Sequence, residues 1–254
     1  MDLGLKDRVY VVTGGTRGLG RAAAQALAGD GAKVVVSGRD GKQVAAAAAD
    51  LGADGAAVLG VAADNADPTA AQRLVHGAKE RFGRFDGMLI SVGGPPPGSA
   101  ADTTDEQWQA GFESVFLGAV RMARTAAEEL AEGGVIAFVL SGSVYEPIPG
   151  LTLSNGLRPG LAGFAKSLAD ELGPRGIRVV GLLPARIDTD RVRELDALGG
   201  DPEAARAAQV ARTPLRRYGT PEEFGRVAAF LLSPAASYLT GLMVPVDGGA
   251  RHGF

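Results

Sequence analysis

Short apolar runs rich in valine, leucine and isoleucine recur along the chain, each followed by a longer stretch of helix-forming residues. The runs cover residues 9–13, 33–37, 57–62, 87–92, 135–140, 177–183 and 243–246. They lack strict alternation of polar and apolar positions, which is the pattern of strands covered on both faces. Strand–helix–strand units joined by right-handed crossovers predict an α/β fold: a doubly wound parallel sheet of about seven strands with helices on both faces. Two helix starts are written locally. Thr104-Asp105-Glu106-Gln107 reads as a capping box ahead of Trp108 and Phe112, and Thr220-Pro221-Glu222-Glu223 adds a proline at the first helical position. The alanine-rich stretch 44–50 is a strong helix former. The polar segment 188–213 follows a strand end and predicts either a mobile cover over the site or a pair of surface helices.

Composition narrows the classes. The 254 residues suit one domain spanning 1–254, and 46% hydrophobic residues supply a sizeable core. A net charge of -3 offers no basic field for a nucleic-acid backbone. There is no cysteine, and the two histidines, His76 and His252, lie far apart in sequence, so no metal cluster is expected. The first residues lack a basic-then-apolar leader, and no run approaches the ~18 apolar residues of a membrane helix. A soluble cytoplasmic protein is the expectation.

The first apolar run leads into Thr13-Gly14-Gly15-Thr16-Arg17-Gly18-Leu19-Gly20 and then into helix-forming residues 21–27. A strand, a glycine turn and a helix in that order bring helix-terminal N–H groups towards a pyrophosphate, with glycine wherever a side chain would block the approach. The second run ends Ser37-Gly38-Arg39. An NAD site usually places a carboxylate there for the ribose 2′-hydroxyl; here Gly38 stands in its place, with Arg39 beside it and Arg17 in the turn. Two guanidinium groups suit a 2′-phosphate, so NADP(H) is the predicted cofactor, with the adjacent Asp40 counting against it.

With these motifs in view, the chain resembles the short-chain dehydrogenase/reductase family over nearly its whole length, and the resemblance implies a single Rossmann-fold domain. Asp64-Asn65 stands where such proteins contact adenine, and Gly93 ends the segment that follows the fourth strand. Pro184-Ala185-Arg186-Ile187-Asp188-Thr189 resembles the segment that meets the nicotinamide end, with Ala185 for the usual glycine. The cofactor contacts thus implied include Thr16, Leu19, Ser37, Pro184, Ile187 and Thr189. The closing segments 218–225, 237–241 and 246–249 are similar to family segments that take part in homotetramer contacts, so a homo-oligomer is implied, tetramer or dimer.

The catalytic half departs from the family. Ser141 matches the serine that holds a substrate oxygen, but the tyrosine position falls on Ser154, the lysine position on Arg158 and the asparagine position on Val115. An aliphatic hydroxyl is a far weaker acid than a phenol, and a guanidinium stays protonated and relays no proton. Pro159, Gly156 and Asn155 predict that the helix kinks here or starts later. Tyr145, in the loop 143–149, is the alternative proton donor, against a reading in which it only shapes the pocket. Arg158 and Arg186 are open to pairing with an acidic or phosphorylated substrate, against a solvated or cofactor-facing role. The expected activity is ketone reduction or secondary-alcohol oxidation with a non-standard acid. The alternatives are a dehydratase, isomerase or cyclase on the same fold, or a catalytically silent NADPH-binding subunit.

Overall fold

A computed structural model describes residues 2–53, 55 and 57–253. The seven strands are β1 (Val9–Val12), β2 (Lys33–Gly38), β3 (Val58–Ala62), β4 (Gly87–Ile90), β5 (Val135–Val139), β6 (Arg178–Pro184) and β7 (Met243–Val246). They form one sheet in the order β3-β2-β1-β4-β5-β6-β7, with every neighbouring pair parallel. The order reverses between β1 and β4, and a crevice opens at the carboxyl ends of strands at such a switch point.

The helices are α1 (Gly18–Gly29), α2 (Gly41–Leu51), α3 (Ala70–Phe82), α4 (Asp105–Gly111), α5 (Gly118–Glu129), α6 (Thr152–Leu172), α7 (Asp190–Ala197), α8 (Pro202–Arg212) and α9 (Pro221–Leu232). One face of the sheet packs on α3, α5 and α6 through residues such as Leu74, Met122, Ala165 and Phe138. The other face packs on α1 and α9 through Tyr10, Leu27, Val34 and Phe224. All residues of β1, β4 and β5 are buried, which is why their sequences carry no polar alternation.

Side chains decide several boundaries. The 87–92 run stops pairing at Ile90, because Ser91 turns to bond Thr13. The sixth strand opens at Arg178, a buried arginine that donates to the Leu231 and Ser233 carbonyls (2.8 and 2.9 Å) and so closes the carboxyl end of α9. Both capping boxes form, at Thr104 with Gln107 and at Thr220 with Glu223. Among the described residues, no helix is long and apolar enough to cross a membrane.

Candidate active site

The turn after β1 is held shut by one side chain. Thr13 Oγ1 donates to the Ser91 carbonyl (2.8 Å) and accepts from the Ser91 N–H (2.9 Å), tying the turn to the end of β4. Gly14 has φ 59°, and a Cβ there would stand 2.7 Å from the Ser91 carbonyl oxygen. A Cβ on Gly20 would run into the Gly14 carbonyl. Glycine at these two positions lets the turn close directly onto the first residues of α1, where free N–H groups and the helix dipole favour an anion. Thr189, which caps α7, lies beside Gly18, so the segment 184–189 borders the same turn.

At the end of β2, Gly38 packs on Thr16: a Cβ there would stand 2.8 Å from the Thr16 methyl. Arg17 and Arg39 are exposed, and neither makes an ion pair or side-chain hydrogen bond with the described residues. Asp40 does not neutralise them through a contact. Its carboxylate caps α2, accepting from the Lys42 and Gln43 N–H groups. Ser37 departs from its predicted role, because its hydroxyl is sealed beneath the surface without a partner; only its carbonyl reaches the turn, accepting from the Gly15 N–H (2.9 Å). Asp64 is exposed, the Asn65 amide lies 3.5 Å from Thr13 Oγ1, and Gly93 faces open space. Leu19 is half-buried, Pro184 closes β6, and Ile187 is buried against Gly219. This cradle, empty of side chains and opening onto a helix N-terminus, fits a dinucleotide pyrophosphate.

The neighbouring strand end carries the altered residues. The predicted late start of the helix is not observed: α6 begins at Thr152 and continues as α-helix through Pro159. The proline lacks only the N–H that would have bonded Asn155, and Trp108 lies over Gly156, where a Cβ would stand 2.6 Å from the indole. Packing thus overrides the local helix-breaking residues. Ser154 and Arg158 sit one turn apart and both are buried. Arg158 is not solvated: its Nη1 donates to the Val139 carbonyl at the end of β5 (2.7 Å). Burial, with a smaller contribution from the charge of Arg191, lowers its pKa to about 10, so it stays cationic at neutral pH.

Ser143 is the residue the sequence did not single out. Its hydroxyl lies 3.1 Å from Ser154 Oγ, and its N–H donates to Ser141 Oγ (3.1 Å). Ser141, Ser143 and Ser154 are therefore linked, and the Ser-x-Ser spacing was the signal available. Tyr145 is not brought to them. Its hydroxyl donates to the Met243 carbonyl (3.4 Å) at the start of β7, and the Arg251 guanidinium covers its ring at 3.7 Å. Arg186 is likewise engaged elsewhere, bonding the buried carboxylate of Asp196 (2.8 Å). Val115, at the asparagine position, is buried inside a π-helical turn spanning Phe112–Leu117. Such turns recur at functional sites.

Comparison with known proteins places this architecture. The family model described as enoyl-(acyl carrier protein) reductase matches residues 14–251. Human dehydrogenase/reductase SDR family member 4 is 35% identical over 249 residues, covering 96% of this chain and 88% of that protein. The chain belongs to the short-chain dehydrogenase/reductase family. An uncharacterized oxidoreductase of Methylorubrum extorquens, also similar to this short-chain dehydrogenase/reductase, is 34% identical over 97% of this chain and 99% of its own. L-sorbose reductase from Gluconobacter frateurii, solved with NADPH and L-sorbose, superposes with a TM-score of 0.93 at 29% identity and full coverage of both chains. A short-chain dehydrogenase from Burkholderia cenocepacia in complex with NADP gives 0.88 at 31% identity, over 97% of this chain and 99% of that one. The family's fold therefore applies here, and the family is one of oxidoreductases.

Proposed function

We propose that this protein is an NADP(H)-dependent oxidoreductase acting on a ketone or secondary alcohol through a non-standard active site. One observation carries the cofactor choice: Arg17 and Arg39 flank Gly38 with no ion-pair partner among the described residues, while the nearby Asp40 is committed to capping α2. A 2′-phosphate would take bidentate bonds from such guanidinium groups, and no side chain at Gly38 reaches for a 2′-hydroxyl. The residues that would hold the cofactor are Gly14, Thr16, Arg17, Gly18, Leu19 and Gly20 at the turn, Arg39, Asp64, Asn65 and Gly93 beyond it, and Pro184, Ile187 and Thr189 at the far end. Two solved relatives that hold NADPH and NADP support the reading. Bound cofactor supplies or accepts a hydride.

The chain's own residues hold the substrate oxygen. Ser141 Oγ accepts from the Ser143 N–H, which leaves its own proton free to donate outwards. Ser143 also bonds the Ser154 hydroxyl, so it fixes both serines at once. Arg158 keeps a permanent positive charge near the end of β5 and stabilises negative charge developing on that oxygen. Loss of the phenol costs general-acid assistance of roughly 10²–10⁴-fold, less than what orientation on a bound partner can contribute. The segment 188–213 acts as a cover, and the chain assembles as a homo-oligomer in the cytoplasm.

The cofactor reading is tested by titrating NADPH and NADH against the native protein and Arg39→Ala. Native protein should prefer NADPH, and the variant should lose about 10–100-fold in NADPH affinity with little change for NADH, the loss expected for a charge-assisted bond. Equal affinities for the two cofactors in the native protein would overturn the choice. A non-redox activity remains the second reading, favoured by the engagement of the Tyr145 hydroxyl at Met243.

A further inference from the structure

Two guanidinium groups are anchored beyond the carboxyl ends of β4 and β5, which are hydrogen-bonded neighbours, close enough that the charge of Arg191 lowers the pKa of Arg158. Arg158 rises from α6 and fastens Nη1 to the Val139 carbonyl (2.7 Å) at the end of β5. Arg191 reaches down from α7 and fastens Nη2 to the Pro95 carbonyl (2.7 Å) in the loop after β4. Its Nε lies against Gly94, where a Cβ would stand only 3.1 Å away. Each arginine is thus anchored by one N–H on a backbone carbonyl. The remaining N–H groups of Arg158 bond no protein atom among the described residues, and they are not sealed off as the Ser37 hydroxyl is, so a ligand can reach them.

Charge compensation is missing at this point. Arg158 is 5% exposed and pairs with no carboxylate among the described residues. Among the described residues the acid paired with Arg191 is Glu194, whose Oε2 lies 3.7 Å from Nη1 with a side chain 61% exposed, while Asp190 is taken by Arg193. Asp188 is engaged by Arg193 and Arg206, and Asp196 by Arg186 and Tyr218. A buried cation without a counter-ion costs stability, and a second cation facing it adds repulsion. A neutral sugar hydroxyl bonded to Arg158 would leave both charges in place. An anion between them would remove the repulsion and satisfy the free donors together.

We propose that the space between Arg158 and Arg191 receives a compact oxyanion group of the substrate, a carboxylate or phosphate close to the reacting carbonyl or carbinol carbon. Arg191 replaces Arg186 as the partner the sequence suggested. This specificity rests on the reading of the site as NADP(H)-dependent, and Arg191 is its determining residue.

The test compares NADPH turnover of 2-oxo and 3-oxo acids with their methyl esters, and of dihydroxyacetone phosphate with dihydroxyacetone, in native protein, Arg191→Gln and Arg191→Lys. The native protein should favour the anionic member of a pair by about ten-fold or more in kcat/KM, carboxylate or phosphate being named by the pair that shows it. Arg191→Gln should lower the anion-to-neutral ratio by a similar factor, and Arg191→Lys should restore part of it. The second readout is the Tm of the NADPH-bound protein in malonate or inorganic phosphate against chloride at equal ionic strength. A rise in the native protein that is lost in Arg191→Gln supports the anion site even where no carbonyl is turned over, an outcome that would sink the redox reading alone. Equal turnover of acids and esters, with no anion-dependent rise in Tm, overturns the inference while leaving the redox reading intact. A loss in Arg191→Gln confined to NADPH affinity, with the anion-to-neutral ratio unchanged, assigns the arginine to the cofactor and also overturns it.

Discussion

Ser143 stands at the centre of the altered site, because its backbone N–H and its hydroxyl reach Ser141 and Ser154 respectively. Around it the helix geometry of the family is intact: Ser154 and Arg158 lie one turn apart on an unbroken α6. On the proposed reading of the site, the missing part is the phenol–ammonium pair, and α6 offers the frame that would hold it. Ser154→Tyr combined with Arg158→Lys should raise kcat on a neutral ketone by about 10²–10⁴-fold, the usual worth of a positioned general acid. A correctly folded double variant with no gain would show that the altered pair is not what limits proton transfer. Ser141, Ser154 and Arg158 are reached from the sequence through the family resemblance, whose spacing from the strand end points to them. Ser143 and Arg191 are not, since their partners are set by a tight turn and by a loop 96 residues away. The seal over the Ser37 hydroxyl was equally invisible, because residue type does not report which way a strand-end side chain faces.

Among the elements, α7 and α8 are fastened to the rest of the chain by a small set of side chains. Asp196 on α7 accepts from Arg186 Nη1 (2.8 Å) and from the Tyr218 hydroxyl (2.9 Å), while Arg206 on α8 lies 4.2 Å over the Tyr218 ring. Burial first, then the bond to Asp196, pushes the Tyr218 pKa up to about 12, so this fastening stays protonated in neutral solution. Segment 188–213 contains two helices tied at their base, and its closing over the site belongs to the proposed function. At the start of α9, the bond from Arg217, followed by the Thr220 N–H, lowers the Glu223 pKa to about 2 from an ordinary 4.5. A carboxylate with a depressed folded-state pKa stabilises fully above the unfolded value and loses that stabilisation as pH falls through the folded one. Glu223→Gln keeps the capping bond but not the ion pair. The Tm gap between native protein and this variant should be present at pH 7 and shrink from about pH 4.5 towards 2. A gap constant across that range would contradict the assignment. The capping boxes were readable from the sequence because they are local; the path of α6 was not, because Trp108 over Gly156 outweighs helix propensity.

For the molecule as a whole, the uniform burial of β1, β4 and β5 made the sheet legible from periodicity alone, and the glycine turn fixed which end of it binds. Assembly was suggested only by family resemblance. Tyr238 is fully exposed, and Leu198 and Leu215 are 65% and 63% exposed, a distribution that suits contacts with further copies of the chain. Sedimentation equilibrium should give a dimer or tetramer, and a concentration-independent monomer would contradict the proposed assembly. The central claim, that this altered site still performs hydride transfer, is tested most directly with NADPH carrying deuterium at both hydrogen positions of nicotinamide C4. Incubated with the carbonyl panel, the protein should yield an alcohol carrying one deuterium at the former carbonyl carbon, on one face only, with NADP formed in equal amount. Product that forms unlabelled, or forms equally well without cofactor, would contradict the account.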